Sequence, residues 1–185
     1  MLLRHGYSPI VIVADSFVPS GLYADPRVIL KKIPLVPVHN EVKKDESFDS
    51  DVESISRALA KILADVDIVI THDIVYQAAA LKHNLAARKV AQKKENLRWL
   101  HWIHSATPPA TLSNLREYFT DAYIQLIEQP FPNSTYVFFN HYSIPSIAAN
   151  FHVPEASVAV VHHPSDLQQV YGLSDDVAKF VHDKK

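Results

Sequence analysis

Residues 66–105 read "VDIVITHDIVYQAAALKHNLAARKVAQKKENLRWLHWIHS", and the order of apolar patterns in this stretch determines the predicted fold. A short β-branched run over 66–71 is followed by Leu81 and Leu85 at helical spacing, and then by a second apolar run over 97–103. A strand, a helix and a strand in this order predict a βαβ unit, in which the two strands are parallel neighbours.

The same alternation continues on both sides of this unit. In chain order, strands are predicted over 9–14, 28–38, 66–71, 97–103, 136–139 and 158–161, with helices over about 50–62, 78–94 and 143–151. Ser50 and Glu53 have the spacing of a capping box, which predicts the start of the first helix. Pro34 and Pro37 each remove a backbone donor, so the second strand is expected at an edge or to be irregular. The chain is therefore expected to be an α/β protein with a Rossmann-like, mainly parallel sheet flanked by helices on both faces.

The predicted domain covers residues 1–164, and 165–185 are predicted to be a helical tail of two short pieces. The least regular region is 108–133, where Leu112, Leu115 and Phe119 suggest a helical segment inside a proline-flanked insertion. Strands 9–14 and 66–71 are expected to be buried on both faces, because they are continuous β-branched runs.

Composition excludes several classes of function. The 185 residues carry a formal net charge of −2 and no cysteine. The near-neutral charge gives no basic surface for nucleic acid, and the absence of cysteine excludes disulfides, thiolate metal sites and a cysteine nucleophile. No apolar run approaches the roughly 18 residues of a transmembrane helix. A cytoplasmic, soluble protein is the expectation.

Polar residues follow four of the predicted strands. The pairs are His72 and Asp73, His104 and Ser105, Asn140 and His141, and His162 and His163. The carboxyl ends of parallel strands share one edge of the sheet, and ligands of open α/β sheets bind outside that edge. We therefore expect these side chains to line a binding site.

The strand 97–103 separates two histidines. Alternate residues of a strand share a face, so Trp99, His101 and Ile103 point one way and Leu100, Trp102 and His104 the other. His101 and His104 therefore diverge, which argues against one metal ion bound by both. Both tryptophans are expected in the core beneath the helices. His104, at the end of the strand, can orient, deprotonate or hydrogen-bond a ligand.

Three runs carry a resemblance to a known family: "VDIVITHDIVYQ" (66–77), "RWLHWIHSAT" (98–107) and "YVFFNHYSIPSIAANFHVPEASVAVVHHPSDL" (136–167). In this order they resemble the acceptor-side, N-terminal domain of GT-B glycosyltransferases of family 4. That family has a strand ending in an aspartate and histidine motif, a second ending in a histidine at the cleft, and a later "YGVP"-type signature. The resemblance covers about 100 residues.

The resemblance implies a retaining glycosyltransferase that moves a sugar from a nucleotide-sugar donor to a sugar or glycan acceptor. It implies that His104 borders the reacting centre as the catalytic residue. The expected substrate-binding residues are His72, Asp73, Ser105, Asn140 and His141. No metal ion and no resident cofactor are expected, since the nucleotide sugar is a substrate.

The chain departs from the family at both ends. "LLRHGY" (2–7) resembles the last turn of a helix capped by Gly6, so the family's first strand and its glycine-rich turn are missing from the sequence. The donor-binding domain expected after 185 is missing too. The resemblance therefore implies a chain that is inactive alone, binds its nucleotide sugar through another domain, and has exposed sheet edges that favour self-association.

Two alternatives remain open. The first is a non-catalytic Rossmann-like binding module, or pseudoenzyme, that keeps the acceptor pocket without the chemistry. The second is a small hydrolase using Ser105 and His104, although no G-x-S-x-G elbow is present and adjacent strand residues point apart.

Overall fold

The computed structural model describes residues 6–34, 45–77, 80–105, 120–162, 179–180 and 182–183. Its strands are β1 (Ile10–Ala14), β2 (Ile29–Ile33), β3 (Ile68–His72), β4 (Arg98–Trp102), β5 (Ser134–Phe138) and β6 (Val158–Val160). Its α-helices are α1 (Phe48–Ile62), α2 (Leu81–Lys93), α3 (Asp121–Glu128) and α4 (Ile144–Asn150), with 3₁₀ turns at Gly21–Ala24 and Glu155–Ser157. This alternation confirms the predicted α/β, Rossmann-like class.

The strands form two parallel sheets. β1 pairs with β2, and the second sheet has the order β3-β4-β5-β6. In the larger sheet His101 of β4 lies between Thr71 of β3 and Tyr136 of β5. Because its four strands are parallel, their carboxyl ends lie along one edge. Among the described strands, β1 lies at an edge of the two-stranded sheet and β3 at an edge of the four-stranded sheet.

The core lies against one face of the larger sheet. Trp99, Ile103, Tyr136 and Phe138 are buried in one cluster with the buried residues of all four helices. On the opposite face Ile68 is 53% exposed and Ile70 48% exposed. Within the described residues the helices therefore cover one face, and the predicted burial of this strand on both faces is wrong. The same correction applies to β1, whose Ile10 is exposed.

A buried arginine joins α2 to the end of α3. Arg88 is only 3% exposed, and its guanidinium donates to Asn84 Oδ1 at 2.9 Å and to the carbonyls of Ile127 (3.2 Å), Gln129 (2.9 Å) and Pro130 (3.2 Å). Burial lowers the pKa of Arg88 to about 10, so it stays protonated at neutral pH. The positive charge thus satisfies carbonyls at the carboxyl end of a helix, where the dipole favours a cation.

The helix starts differ from prediction. α1 begins at Phe48, with Ser47 at its N-cap and no side-chain capping bond, so the capping box predicted at Ser50 and Glu53 is wrong. The Ser50 hydroxyl instead donates to the Ser47 carbonyl at 2.7 Å. β2 ends at Ile33 and lies at an edge of the two-stranded sheet, so the prediction of an edge strand is confirmed for the described residues.

Several predictions lie outside the described residues: the helical segment at Leu112–Phe119, the boundary at 164–165, the first tail helix and the turn preceding Gly6. Gly6 itself has a φ of +79°, a value that glycine adopts readily. None of the helices in the described ranges is long and apolar enough to cross a bilayer.

Candidate functional site

The carboxyl edge of the four-stranded sheet carries four histidines, one from each strand end. His72 is the last residue of β3, and His104, His141 and His162 follow β4, β5 and β6 within three residues. All four are exposed. The parallel order of the strands thus brings to one edge the residues that the sequence placed after each strand. They form two groups, each with its own contacts.

The first group contains a direct contact between two imidazoles. Nδ1 of His72 lies 3.3 Å from Nε2 of His104, and the two rings are 16° from parallel with centroids 5.6 Å apart. The centroid separation exceeds the nitrogen separation by roughly two ring radii, so the two nitrogens lie in line between the ring centres. This is the geometry of an N–H···N hydrogen bond, in which one nitrogen carries the proton and the other accepts it.

The Asp73 side chain supports this pair through hydrogen bonds. Its φ is 58°, a conformation that aspartate tolerates better than most residues. Oδ1 accepts the backbone N–H of His104 at 2.9 Å and the hydroxyl of Tyr76 at 2.6 Å. Burial, and then the bond to this carboxylate, raise the pKa of Tyr76 to about 12. The Asp73 side chain therefore joins the ends of β3 and β4 and sets the spacing of the two histidines.

The second group lies at the ends of β5 and β6. Oδ1 of Asn140 accepts the N–H of Ser143 at 2.9 Å, a turn that leads into α4. Nδ1 of His162 lies 2.9 Å from the Phe139 carbonyl. A carbonyl only accepts, so Nδ1 carries the proton. The His141 and His162 rings contact edge to face, with centroids 5.9 Å apart.

His101 occupies the core and is separate from the edge. It is fully buried, and its Nδ1 lies 2.7 Å from the Thr71 hydroxyl. Burial, with a smaller contribution from Arg88, lowers its pKa to about 3, so the ring is neutral. Its Nε2 has no hydrogen-bond partner in the described part of the chain. The prediction that His101 and His104 diverge is confirmed.

The two tryptophans of β4 have different environments. Trp99 is 2% exposed, as predicted, and its indole N–H has no hydrogen-bond partner in the ranges described. Trp102 is half-buried on the opposite face and stacks on His72, with centroids 6.1 Å apart and the rings 20° from parallel. The prediction that Trp102 also packs beneath the helices is wrong, because its face of β4 is the one without described helices.

The described residues contain no group of three or more histidine, aspartate or glutamate side chains placed to hold a metal ion. In the in-line contact of His72 and His104 the two facing nitrogens point at each other, one as donor and one as acceptor. Two imidazoles in this arrangement are suited to hydrogen bonding and proton transfer.

Tyr76 and Gln77 also belong to the site, although the sequence did not predict them as site residues. Both contact Asp73, the first through its hydroxyl and the second through its amide at 3.5 Å. Their positions three and four residues after Asp73 are the spacing of one helical turn, which could have indicated the contact. Ser105 is half-buried beside His104, and His163 lies outside the described residues.

Comparison with known proteins finds no matching family model, no matching curated protein and no matching solved structure.

Proposed function

We propose that this chain forms the acceptor side of the cleft of a retaining glycosyltransferase, which takes the sugar from a nucleotide-sugar donor held by another domain. The observation that carries the proposal is the hydrogen-bonded pair of His72 and His104, exposed at the carboxyl edge of a parallel sheet. Imidazoles at that edge are suited to hold and deprotonate a hydroxyl group.

The surroundings of the pair suit a sugar. A sugar presents several hydroxyls, each a donor and an acceptor, together with an apolar ring face. Beside the pair lies the half-buried indole of Trp102, which offers an aromatic surface. Asn140 and His141 add polar groups after the end of β5. In this proposal His104 is catalytic, while His72, Asp73, Ser105, Asn140 and His141 bind or position the acceptor.

The proposal requires no metal ion, since hydrogen-bond donors hold the acceptor. The nucleotide sugar would be bound by a donor domain on this or another polypeptide, and the enzyme would act in the cytoplasm. The chain by itself is then expected to bind an acceptor without transferring sugar.

The test is a transfer and donor-hydrolysis screen with a panel of nucleotide sugars and acceptors. It is run on this chain, and on the chain together with its natural flanking sequence. Transfer in the extended form, reduced about 10²-fold or more by His104→Asn, supports the proposal. The matched control is His152→Asn, since His152 is exposed at the opposite, amino-terminal edge of the sheet and has a positive φ that asparagine tolerates.

Two other outcomes count against transfer. Acceptor binding without transfer in either form identifies a non-catalytic binding module, the alternative function. Hydrolysis of simple esters that is lost with Ser105→Ala identifies the hydrolase instead.

The strand edges that have no partner in the described ranges also support self-association. In β3 the N–H of Asp73 donates to Trp102 and the carbonyl of Asp67 accepts from Arg98, so odd-numbered residues pair with β4. The backbone groups of Ile68 and Ile70 therefore point to the side of β3 that has no partner strand among the described residues. An unpaired edge with apolar side chains is a site for pairing with a second copy.

Sedimentation velocity tests this association over a concentration series. Ile70→Lys places a charge at the edge and is expected to shift the protein towards monomer. A chain that is monomeric at every concentration, with or without the substitution, contradicts self-association.

A further inference from the structure

Each ring of the histidine pair uses one of its two nitrogens in the contact between the rings. Nε2 of His104 and Nδ1 of His72 are used by the contact between them. Nε2 of His72 is the remaining nitrogen of an exposed ring, and it has no hydrogen-bond partner within the described ranges. A ligand at this edge therefore meets His72 at its outer nitrogen.

We propose that His72 and His104 act as one unit that shares a proton, in which His72 Nε2 contacts the ligand hydroxyl and His104 acts through His72. This refines the proposed function, in which His104 was the catalytic residue, by making His104 a positioning residue that receives the proton from His72. When the shared proton is on Nδ1 of His72, Nε2 of the neutral His72 ring is an acceptor. When the shared proton is on Nε2 of His104, the neutral His72 ring carries its proton on Nε2 and is a donor. When Nε2 of His72 takes up a proton from the ligand and the shared proton moves to His104, the outer nitrogen changes from acceptor to donor while the His72 ring stays neutral.

With a hydroxyl group as the acceptor, the histidine pair takes up the hydroxyl proton in two coupled steps. The hydroxyl proton passes to Nε2 of His72, and the Nδ1 proton of His72 passes to Nε2 of His104. The oxygen is left with the electron pair as an alkoxide, and the positive charge comes to rest on His104. This step rests on the proposed function, whereas the sharing of a proton between the two rings does not.

The surroundings hold the unit in place. The titratable groups that face it from the described residues of β3, β4 and the turn after β3 are the Asp73 carboxylate and the Tyr76 hydroxyl. The carboxylate accepts the backbone N–H of His104, which anchors that residue independently of its ring. The Trp102 ring lies beside the His72 ring and nearly parallel to it, with the ring centroids 6.1 Å apart. Replacing either imidazole therefore leaves the other residue's backbone position supported.

The experiment is a measurement of ¹⁵N–¹⁵N scalar coupling across the hydrogen bond, on uniformly labelled protein at about pH 8.5, where imidazoles are neutral. The expected result is a coupling between Nδ1 of His72 and Nε2 of His104. His104→Asn should also move the ring-nitrogen shifts of His72 towards those of an isolated imidazole, while His152→Asn leaves them unchanged. A backbone amide spectrum of each variant checks that it is folded.

The absence of that coupling, or ring shifts of His72 that do not respond to His104→Asn, overturns the proposal. The result is independent of the enzymatic test, because it requires neither donor nor acceptor. A coupled pair in a protein without transfer activity would reject the glycosyltransferase and keep the proton-sharing unit. Transfer activity without the coupling would keep the glycosyltransferase and reject the proton-sharing unit.

Discussion

His101 lies on β4 and His104 follows three residues later, just beyond the end of the strand, yet the two have opposite environments. The ring of His101 is fully buried among Trp99, Phe131 and Tyr136. The ring of His104 is exposed and contacts another imidazole. The difference comes from strand alternation combined with a sheet whose described helices cover one face. The same residue type therefore serves packing at one position and is available for chemistry at the other.

The largest expected contrast between the two faces is in stability. Trp99→Ala removes a fully buried indole from the core and should cost about 3–5 kcal/mol of unfolding free energy. Trp102→Ala on the other face of the same strand should cost clearly less, since its side chain is half-buried. Urea denaturation of both variants measures the difference. Equal losses would mean that the two faces are equally buried in solution.

The second contrast is in the response to acid. The pKa of His101 is lowered from 6.5 to about 3 in the folded state. Below pH 6.5 the unfolded chain takes up a proton that the folded chain does not, so stability falls with pH through this window. The loss expected from this residue is about 2 kcal/mol between pH 7 and pH 5.

The His101→Gln variant should be less stable at neutral pH but have a shallower pH dependence. Burial also lowers the pKa of His83, so some dependence should remain. Thermal or urea unfolding at several pH values gives the comparison. Identical slopes for this variant and the native chain would show that His101 is protonated in the fold.

A smaller effect is expected where β3 and β4 are joined at the edge. Asp73→Asn keeps an oxygen for the His104 N–H and a side chain that tolerates positive φ, but removes the charge that strengthens two hydrogen bonds. We expect a loss of about 1 kcal/mol. The NMR signals of the His72 and His104 rings should also change. Unchanged ring signals would show that the carboxylate does not set their spacing.

The smallest effect on stability belongs to the exposed histidine itself. His104→Asn keeps the backbone bond to Asp73, so its unfolding free energy should change by no more than about 0.5 kcal/mol, the ordinary value for a surface substitution. Calorimetric melting alongside His152→Asn checks this. A loss comparable to that of a core variant would place the ring of His104 in the folding core rather than at a binding edge.

The order of strands and helices could be predicted from the sequence because apolar periodicity depends only on residues close together in the chain. The alternation predicted correctly that Trp99, His101 and Ile103 share one face, which is the buried one. The prediction that Trp102 also lies in the core was wrong. The same periodicity predicted where the strands end, and therefore which histidines lie at the edge of the sheet. The pairing of His72 with His104 depends on register between two strands, which no local pattern specifies.

Burial on the second face could not be predicted for the same reason. Ile68 and Ile70 have the composition of a strand covered on both sides, but coverage depends on where helices from other parts of the chain pack. The predicted capping box at the start of α1 was also wrong. Ser50 has the required spacing, but its hydroxyl donates to a carbonyl instead of accepting a backbone N–H. Helix α3 has too few residues for its period to stand out in a proline-flanked region.

The guanidinium of Arg88 has a consequence for how the chain opens. It lies on α2 and donates hydrogen bonds to the carbonyls of Ile127, Gln129 and Pro130. Detaching α3 therefore removes three acceptors from a buried cation, which is unfavourable. In native-state hydrogen exchange, the amides at the end of this eight-residue helix should therefore be protected together with those of α2, as one cooperative unit. With Arg88→Met the two helices should exchange separately, the short one first.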